Sequence, residues 1–254
     1  MLNNKTVAVV VPAYNEEKQI GMVIETMPDF VDRIIIINDK SKDKTADIVA
    51  AYIEKDTSEK IKIENILDKI KPNRYNRANV VLQDLQKKEI EKYTSSEVYN
   101  KNPENDRIIL INHLSNGGVG AAIARGYKWA KDYGIDCTAV MAGDGQMDPE
   151  ELESICMPVI EENVDYVKGN RLIHRSALLV IPQLRFLGNS ILSVLTKIAS
   201  GYWHVSDTQT GYTAISLKAL QSIRIYNIYN SYGMPNDLLV KLNIAFCTLK
   251  EIEI

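Results

Sequence analysis

The sequence predicts an α/β fold with a mostly parallel, Rossmann-like sheet flanked by helices. Two observations support this prediction. First, short apolar runs lack the polar alternation of half-exposed strands and are typical of strands buried on both faces of a parallel sheet: Val7–Val11, Ile34–Ile37, Ile108–Ile111 and Ala139–Met141. Second, segments with the spacing of amphipathic helices separate these runs, and this alternation is typical of a doubly wound sheet.

The helices of the first half follow from their apolar positions. The strand at 7–11 leads to a helix with apolar residues at Ile20, Val23, Ile24 and Met27. The strand at 34–37 leads to a helix through Ile48, Val49 and Tyr52, for which Ser41 or Asp43 is the expected cap. Small residues dominate the helix over 121–126, so we expect it to pack close to the sheet.

Residues 54–107 interrupt this alternation of strands and helices. The segment is rich in Lys, Glu and Asn, with helical spacing at Ile61, Ile66 and Ile70 and again at Val80, Val81 and Leu85. We interpret it as a helical insertion that projects from a single domain spanning 1–254. A solvated excursion is favoured over a homo-oligomer contact, which stays open.

The second half predicts further elements of the same domain. A strand is expected near Tyr166–Val167, followed by an amphipathic segment over 175–204. A strand at Gly211–Ser216, a helix through Leu238 and Leu242, and a strand at Thr248–Ile254 complete the order. The chain stops within this last strand, so a C-terminal continuation, such as a membrane anchor, is expected.

Composition excludes several classes of protein. The net charge of −3 gives no general attraction to nucleic acid. The three cysteines are far apart and set in apolar surroundings, and the three histidines form no ligand-like pair, so we expect neither disulfides nor a zinc site. No signal peptide opens the chain, and no run approaches the roughly 20 apolar residues that span a bilayer.

The most informative segment is the run from Ala139 to Glu151. A short strand ends in a lone acid, Asp144, between two glycines, and a helix start follows in which Asp148 is the N-cap, Pro149 the first helical residue and Glu151 part of a capping box. Open α/β sheets bind ligands at the carboxyl ends of their strands. A carboxylate there can present a divalent cation to a diphosphate, although a plain capping turn would carry the same residues.

Two further polar loops follow predicted strands. In the first, over 12–17, Tyr14 can stack on a base, Asn15 can cap the next helix and Glu16 can accept a hydrogen bond from a ribose or base. In the second, over 38–45, Asp39 can accept from a ring N–H of uracil or guanine. Taken alone, the first loop is better interpreted as a plain capping loop.

These segments, in this order, resemble family 2 glycosyltransferases of the GT-A fold, and among them the dolichyl- and polyprenyl-phosphate sugar synthases. The resemblance covers nearly the whole chain except 54–107 and rests on Pro12–Glu17, Ile37–Thr45, Asn116–Ala122, Asp144–Pro149, Gly169–Arg171 and Asp207–Tyr212. It implies an inverting transfer of a hexose or N-acetylhexosamine from a nucleotide-diphosphate sugar to a polyprenyl or dolichyl phosphate. A UDP-linked donor is favoured over a GDP-linked one because Asp39 suits uracil, although it can also serve guanine.

The same resemblance implies roles for individual residues. Asp144 corresponds to the second acid of the family's Asp-x-Asp motif, which binds Mg²⁺ or Mn²⁺ and the diphosphate, and Gln146 matches a glutamine that often follows it. The residues implied to line the nucleotide pocket are Pro12, Ala13, Tyr14, Glu16, Ile37, Asp39 and Gly143. The chain departs from the family pattern at Ala142, which replaces the first acid, and at Asn38 and Lys40.

The acceptor side follows from the resemblance in the same way. Arg171 and Arg185 stand where the polyprenyl-phosphate enzymes place two arginines that grip the acceptor phosphate, and the planar guanidinium suits phosphate oxygens. Two interpretations of the 175–204 segment stay open: an interfacial helix that seats the lipid tail and contacts the membrane, or an ordinary helix that faces the core. The implied location is the cytoplasmic face of the cell membrane, peripheral or anchored.

Other functions stay open at this stage. A family 2 enzyme that acts on a glycan hydroxyl would need a base near Asp237, whose expected role here is to cap a helix. A non-catalytic nucleotide-sugar-binding module would account for Ala142. NAD binding by Gly117–Gly120 is disfavoured, because this segment follows the third strand and Ile123 replaces the last glycine of the dinucleotide motif. A sugar nucleotidyltransferase would show a glycine-rich, basic loop at 12–17.

Overall fold

The computed structural model describes residues 1–57, 61–68, 73–170, 194–199, 201–203, 205, 207 and 209–254. The strands among these residues are β1 (Val7–Ala13), β2 (Arg33–Asn38), β3 (Ser96–Val98), β4 (Ile108–His113), β5 (Cys137–Val140), β6 (Tyr166–Asn170), β7 (Thr213–Ser216) and β8 (Leu249–Glu253). The helices are α1 (Ile20–Glu25), α2 (Thr45–Lys55), α3 (Arg77–Lys88), α4 (Val119–Asp132), α5 (Leu152–Glu161), α6 (Leu217–Ser222) and α7 (Met234–Ile244).

The strands form one sheet in the order β3-β4-β2-β1-β5-β7-β6-β8. β1 pairs in parallel with β2 and β5, β2 with β4, and β6 with β8, whereas β3 and β7 run antiparallel to their neighbours. The predicted α/β class with a mostly parallel sheet is therefore confirmed. Because β1, β2, β4 and β5 all point the same way, the loops that follow them meet at one edge of the sheet.

The centre of the sheet is buried on both faces, as the unbroken apolar runs predict. Every residue from Val7 to Val11 is inaccessible to solvent, and Ile34–Ile37 is at most 1% exposed. Alternate residues of β1 face two separate apolar clusters: Val10 packs with the side that includes α4, and Val9 with the side that includes α1 and α5. Gly126 of α4 permits close packing, because a Cβ there would lie 2.4 Å from a Val10 methyl group.

The 54–107 segment differs from its prediction in part. Helical spacing at 80–85 correctly predicts α3. Ile61 and Ile66 do not lie on a common helix, since residues 61–65 have no regular structure and Ile66–Asp68 form a short 3-10 turn, while Ile70 lies outside the described residues. The segment also contributes β3, an edge strand that pairs with β4. Its contact with α4 is partly polar, since Arg125 Nε donates to Ser96 Oγ at 2.8 Å and Lys128 Nζ donates to the Gln86 carbonyl at 3.1 Å. Ile63 and Tyr93 of the segment also belong to the apolar cluster that includes α4.

The amphipathic segment predicted over 175–204 lies mostly outside the described residues. Residues 194–199 are helical, and Leu195 and Ile198 of this turn are exposed, as is Trp203. Tyr202 is buried, and its hydroxyl donates to the Cys247 carbonyl at 2.6 Å, which ties the segment to the chain after α7. Within the described ranges, no helix is long and apolar enough to cross a membrane.

Candidate active site

A cavity of about 470 Å³ lies at the carboxyl ends of β1, β2, β4 and β5. We call it the main cavity, because two other depressions measure about 340 and 330 Å³. Predicted site residues that line the main cavity are Pro12, Ala13, Tyr14, Glu16, Asp39, Gly143 and Asp144. Residues that lie far apart in the sequence are thus brought together at the sheet edge where open α/β folds bind ligands.

The loops after β1 and β2 form a single unit through hydrogen bonds. Asn15 has a positive φ of 58°, its N–H donates to Ser41 Oγ at 3.0 Å, and its Oδ1 accepts from the Lys42 N–H at 2.8 Å. The Glu16 N–H donates to Thr45 Oγ1 at 2.9 Å. The sequence suggested that Asn15 caps α1, but Asn15 instead binds the neighbouring loop. One wall of the main cavity is rigid because each loop satisfies the other's backbone groups.

Asp39 is buried at the end of β2, and its carboxylate has three hydrogen-bond donors. Oδ1 accepts from His113 Nδ1 at 2.6 Å and from the Gly117 N–H at 2.7 Å, while Oδ2 accepts from the Gly118 N–H at 2.8 Å. Burial raises the pKa of Asp39, but the hydrogen bonds from His113, Gly117 and Gly118 outweigh it and hold the pKa below its ordinary value. Asp39 is therefore a fixed anion that also shapes the glycine loop.

The glycine-rich segment packs against the chain near residue 230. A Cβ on Gly120 would lie 2.0 Å from the Tyr229 carbonyl oxygen, and the Gly120 N–H donates to the Asn230 carbonyl at 2.9 Å. Gly118 has a φ of 87°, and a Cβ there would lie 2.5 Å from the Asn230 carbonyl oxygen. Gly118 also lines the main cavity. The first amides of α4 are thus partly satisfied by the protein itself. These contacts, rather than a dinucleotide phosphate, account for the glycines.

Asp144 lies on the turn after β5 and is partly exposed in the main cavity. The Met141 N–H donates to the Val10 carbonyl at 3.0 Å, and the Gly143 N–H donates to the Pro12 carbonyl at 3.3 Å, so the turn stays bound to β1. Gly145 has a φ of 71°, which favours glycine. The carboxylate accepts one local hydrogen bond, from the Gln146 N–H at 3.1 Å. Its remaining lone pairs are available to a ligand.

The predicted cap that follows is confirmed in its main part. Asp148 Oδ1 accepts from the Glu150 N–H at 2.9 Å, and Pro149 occupies the first helical position. The capped element is a 3-10 turn that leads into α5. Tyr212, from the segment before β7, donates its hydroxyl to the Asp148 carbonyl at 2.7 Å. The turn that carries Asp144 is therefore held on both sides.

Glu16 and Asp144 interact electrostatically across the main cavity. Partial burial raises the pKa of Glu16, and the negative charges of Asp144 and Asp43 raise it further. A cation between these acids would relieve the repulsion. No set of three His, Cys, Asp or Glu side chains that could hold a metal occurs in the part of the chain that the structure describes. The donor set nevertheless suits Mg²⁺ or Mn²⁺, because such ions can bind through one or two carboxylates, water and substrate phosphates.

Other predicted residues lie elsewhere. Ile37 is fully buried in the core beneath the β2 loop and does not line the main cavity. Gln146 is exposed and lines the neighbouring depression of about 340 Å³. Arg171 and Arg185 lie outside the described residues. Ala142, which replaces the expected first acid, does line the main cavity and provides no carboxylate there.

The sequence did not predict the part of the main cavity formed by Ser231 and Tyr232. Tyr232 is 87% exposed, on a loop fixed to α4 through Asn230. Asp237 stabilises this loop, because its Oδ2 accepts from the Tyr229 N–H at 2.8 Å and its Oδ1 pairs with Lys241 Nζ. Asp237 therefore fixes the preceding loop, whereas the sequence suggested a cap for its own helix.

Comparison with known proteins supports the family. A sequence model of glycosyl transferase family 2 matches residues 8–66 and 63–224, which cover most of the chain and every loop of the main cavity before residue 225. The chain belongs to glycosyl transferase family 2. It is accordingly a glycosyltransferase, and relatives named as dolichyl- and polyprenyl-phosphate sugar transferases support the polyprenyl-phosphate sugar synthase-like branch that the sequence resembles.

Two relatives illustrate that branch. The chain is 29% identical over 256 residues to the UDP-N-acetylglucosamine--dolichyl-phosphate N-acetylglucosaminyltransferase of Methanococcus voltae, a match that covers 98% of this chain and 86% of the relative. It is 25% identical over 136 residues to the undecaprenyl-phosphate mannosyltransferase of Micrococcus luteus, covering 53% of this chain and 55% of that one.

A solved structure with the same fold is glucosyl-3-phosphoglycerate synthase from Mycobacterium tuberculosis, in complex with Mn²⁺, UDP and glucosyl-3-phosphoglycerate. Its TM-score is 0.58 at 17% identity, over 98% of this chain and 70% of that chain. At this identity the similarity shows the fold alone. The predicted GT-A fold is confirmed.

Proposed function

We propose that this glycosyltransferase moves a hexose or N-acetylhexosamine from a nucleotide-diphosphate sugar, with UDP as the nucleotide, to a polyprenyl phosphate such as dolichyl phosphate. The observation that carries the proposal is the position of Asp144, whose carboxylate faces a cavity bordered by the base-binding candidates Asp39 and Tyr14. The Methanococcus relative, which matches nearly the whole chain, acts with UDP-N-acetylglucosamine and dolichyl phosphate according to its name.

The donor would bind along the strand ends. In this arrangement Asp39 accepts a hydrogen bond from the base, Tyr14 flanks the base, and Glu16 accepts from a ribose hydroxyl. Asp144 would hold Mg²⁺ or Mn²⁺, with Glu16 near enough to add negative charge. The metal, when bound, neutralises charge that develops on the leaving nucleoside diphosphate. With Ala142 in place of an acid, Asp144 is the carboxylate on which this binding depends.

The acceptor chemistry favours a phosphate over a hydroxyl. A phosphate monoester carries about −1.5 to −2 charges near pH 7 and needs no general base. Asp237, the candidate base for a hydroxyl acceptor, is committed to the Tyr229 N–H and to Lys241. We propose that Arg171 and Arg185 bind the acceptor phosphate and orient it for direct displacement, which inverts the anomeric centre. The lipid acceptor then sets the reaction at the membrane surface, for which we propose the cytoplasmic face.

A donor and acceptor panel tests this proposal. Purified protein is incubated with Mn²⁺, with UDP-N-acetylglucosamine, UDP-glucose or GDP-mannose, and with either a short polyprenyl phosphate or an oligosaccharide as acceptor, and products are identified by mass. We expect a polyprenyl-phosphate sugar from a UDP donor. Transfer to a glycan hydroxyl in place of the lipid would contradict the acceptor, and donor binding without turnover over any polyprenyl phosphate would favour a non-catalytic module.

Substitution of both arginines tests the acceptor assignment separately. The double variant Arg171→Gln, Arg185→Gln removes two positive charges while keeping polar, though shorter, side chains. We expect lipid transfer to fall below detection while slow hydrolysis of the donor continues, because the donor site is untouched. Asp237→Asn is the matched control and should retain transfer. Full transfer by the double variant would refute the assignment.

A further inference from the structure

His113 is the last residue of β4, and its side chain is completely buried against Asp39. The Nδ1 atom lies 2.6 Å from Asp39 Oδ1. The same oxygen also accepts from the Gly117 N–H, and the hydrogen bonds together hold Asp39 in its ionised form. An ionised carboxylate can only accept, so Nδ1 must carry the proton and donate it.

Among the residues that the structure describes, the other ring nitrogen of His113 makes no contact that would explain a histidine at this position. Nε2 is buried, and within the described ranges no hydrogen-bond partner reaches it. A buried polar atom without a partner destabilises the folded protein, and an aliphatic side chain of similar size would avoid that cost. A histidine at this position therefore needs another reason, and the contact that Nδ1 makes supplies one.

The hydrogen bonds on Asp39 leave limited capacity for a ligand. A carboxylate offers about four lone-pair sites. Two on Oδ1 are filled by His113 and Gly117, and one on Oδ2 is filled by Gly118. Asp39 nonetheless lines the main cavity, so Oδ2 can accept one further hydrogen bond. Without His113, Oδ1 would also have an open site and the carboxylate could act as a paired acceptor.

We propose that His113 is a positioning residue for donor recognition: by occupying Oδ1, it makes Asp39 a single acceptor aimed at one ring N–H. This inference rests on the proposed function, since it assumes that a nucleotide base lies against Asp39. Uracil presents one ring N–H between two carbonyl oxygens and suits a single acceptor. Guanine presents a ring N–H beside an amino group, and this pair of donors is best matched by both oxygens of a carboxylate.

A matched pair of substitutions tests the role of Nδ1. His113→Asn keeps an N–H donor on the same branch of the side chain, whereas His113→Leu has nearly the same size and no donor. Binding of UDP and of GDP, each with Mn²⁺, is measured by calorimetry, and thermal unfolding of each variant is recorded alongside. We expect the wild type to bind UDP more tightly than GDP. We expect H113L to bind UDP about tenfold more weakly, with its preference over GDP reduced, and H113N to stay within about threefold of the wild type.

Several results would overturn the inference. Unchanged UDP affinity in a folded H113L would show that Nδ1 does not position Asp39, and equal losses in H113N and H113L would show that only the ring volume matters. A wild type that binds GDP as tightly as UDP would refute the single-acceptor assignment even if neither variant folds. A wild type that binds neither nucleotide would instead refute the proposed function itself, and this inference with it.

Discussion

The turns after β2 and β5 each present an aspartate to the same cavity, yet the two acids are held very differently. Asp39 is buried and accepts three hydrogen bonds from His113, Gly117 and Gly118. Asp144 is partly exposed and accepts one, from the N–H of Gln146. Asp39 and Asp144 therefore both follow a strand, but they differ in how many protein hydrogen-bond donors their carboxylates have, and this number decides what each carboxylate can still bind. Asp39 holds the glycine loop in place, whereas within the described ranges Asp144 keeps lone pairs that could bind a cation.

The largest effect should come from removing the charge of Asp144. In Asp144→Asn we expect transfer to fall by about 100-fold or more, because metal stabilisation of a leaving group is worth several kcal/mol. The free energy of unfolding should change by less than about 1 kcal/mol, because the side chain is partly exposed. Transfer rates and urea unfolding measure the two effects. A large loss of stability with intact transfer would show that Asp144 has a structural role and does not hold the metal.

Asp39→Ala should destabilise the folded protein more than Asp144→Asn does. It leaves the N–H groups of Gly117 and Gly118 without their acceptor, and hydrogen bonds to a charged group contribute about 1.5–3 kcal/mol each. We expect the free energy of unfolding to fall by about 3 kcal/mol, measured by urea unfolding at pH 7. Asp144→Asn serves as the control. Equal stability of the two variants would mean that the hydrogen bonds at Asp39 do not hold the loop.

The contribution of Asp39 to the free energy of unfolding should depend on pH. The folded-state pKa of Asp39 lies below the ordinary value of 3.8, so its contribution is complete above that value and is lost as pH falls through the folded pKa. The stability gap between the wild type and Asp39→Asn should therefore narrow as pH falls below about 5. Urea unfolding at a series of pH values from 7 to 3 would test this. A gap that stays constant would contradict the low pKa.

The smallest effect is expected at Glu16, the third acid of the main cavity. Partial burial and the charges of Asp144 and Asp43 raise its pKa, so Glu16→Gln relieves repulsion. At pH 7 the variant should be more stable by about 0.5 kcal/mol or less, because exposed charges interact weakly. The KM for the donor should rise by less than about tenfold, with kcat little changed. A loss of kcat as large as that of Asp144→Asn would identify Glu16 as a principal metal ligand.

Much of the fold could be predicted because burial leaves a direct mark on the sequence. The runs 7–11 and 34–37 are apolar at every position since both faces of β1 and β2 are covered. β3 was missed because Ser96–Val98 is a short edge strand with two exposed residues and no apolar run. The helix expected near Ile61 was wrong: Ile63 faces the core, and its N–H donates to the Glu104 carbonyl in an extended segment.

The site was predictable only where it follows a strand. Asp39 and Asp144 could be found because a polar residue after a buried strand lies at the ligand-binding edge of the sheet. Tyr232 could not, because it reaches the main cavity through backbone contacts between Asn230 and the start of α4. Such contacts use atoms that every residue has, and the only trace they leave is the glycines at 118 and 120, whose partner the sequence does not reveal.

The hydrogen bonds between the loops after β1 and β2 have a consequence for engineering. Asn15 and Glu16 each depend on a residue beyond 40, at Ser41 and Thr45, so neither loop keeps its shape when its partner changes. If these loops bind the donor as proposed, residues 13–17 and 38–45 act together in setting donor preference. A graft of residues 13–17 alone from a relative would lack its matching hydrogen-bond partners. Exchange together with residues 38–45 would keep both loops and the hydrogen bonds between them.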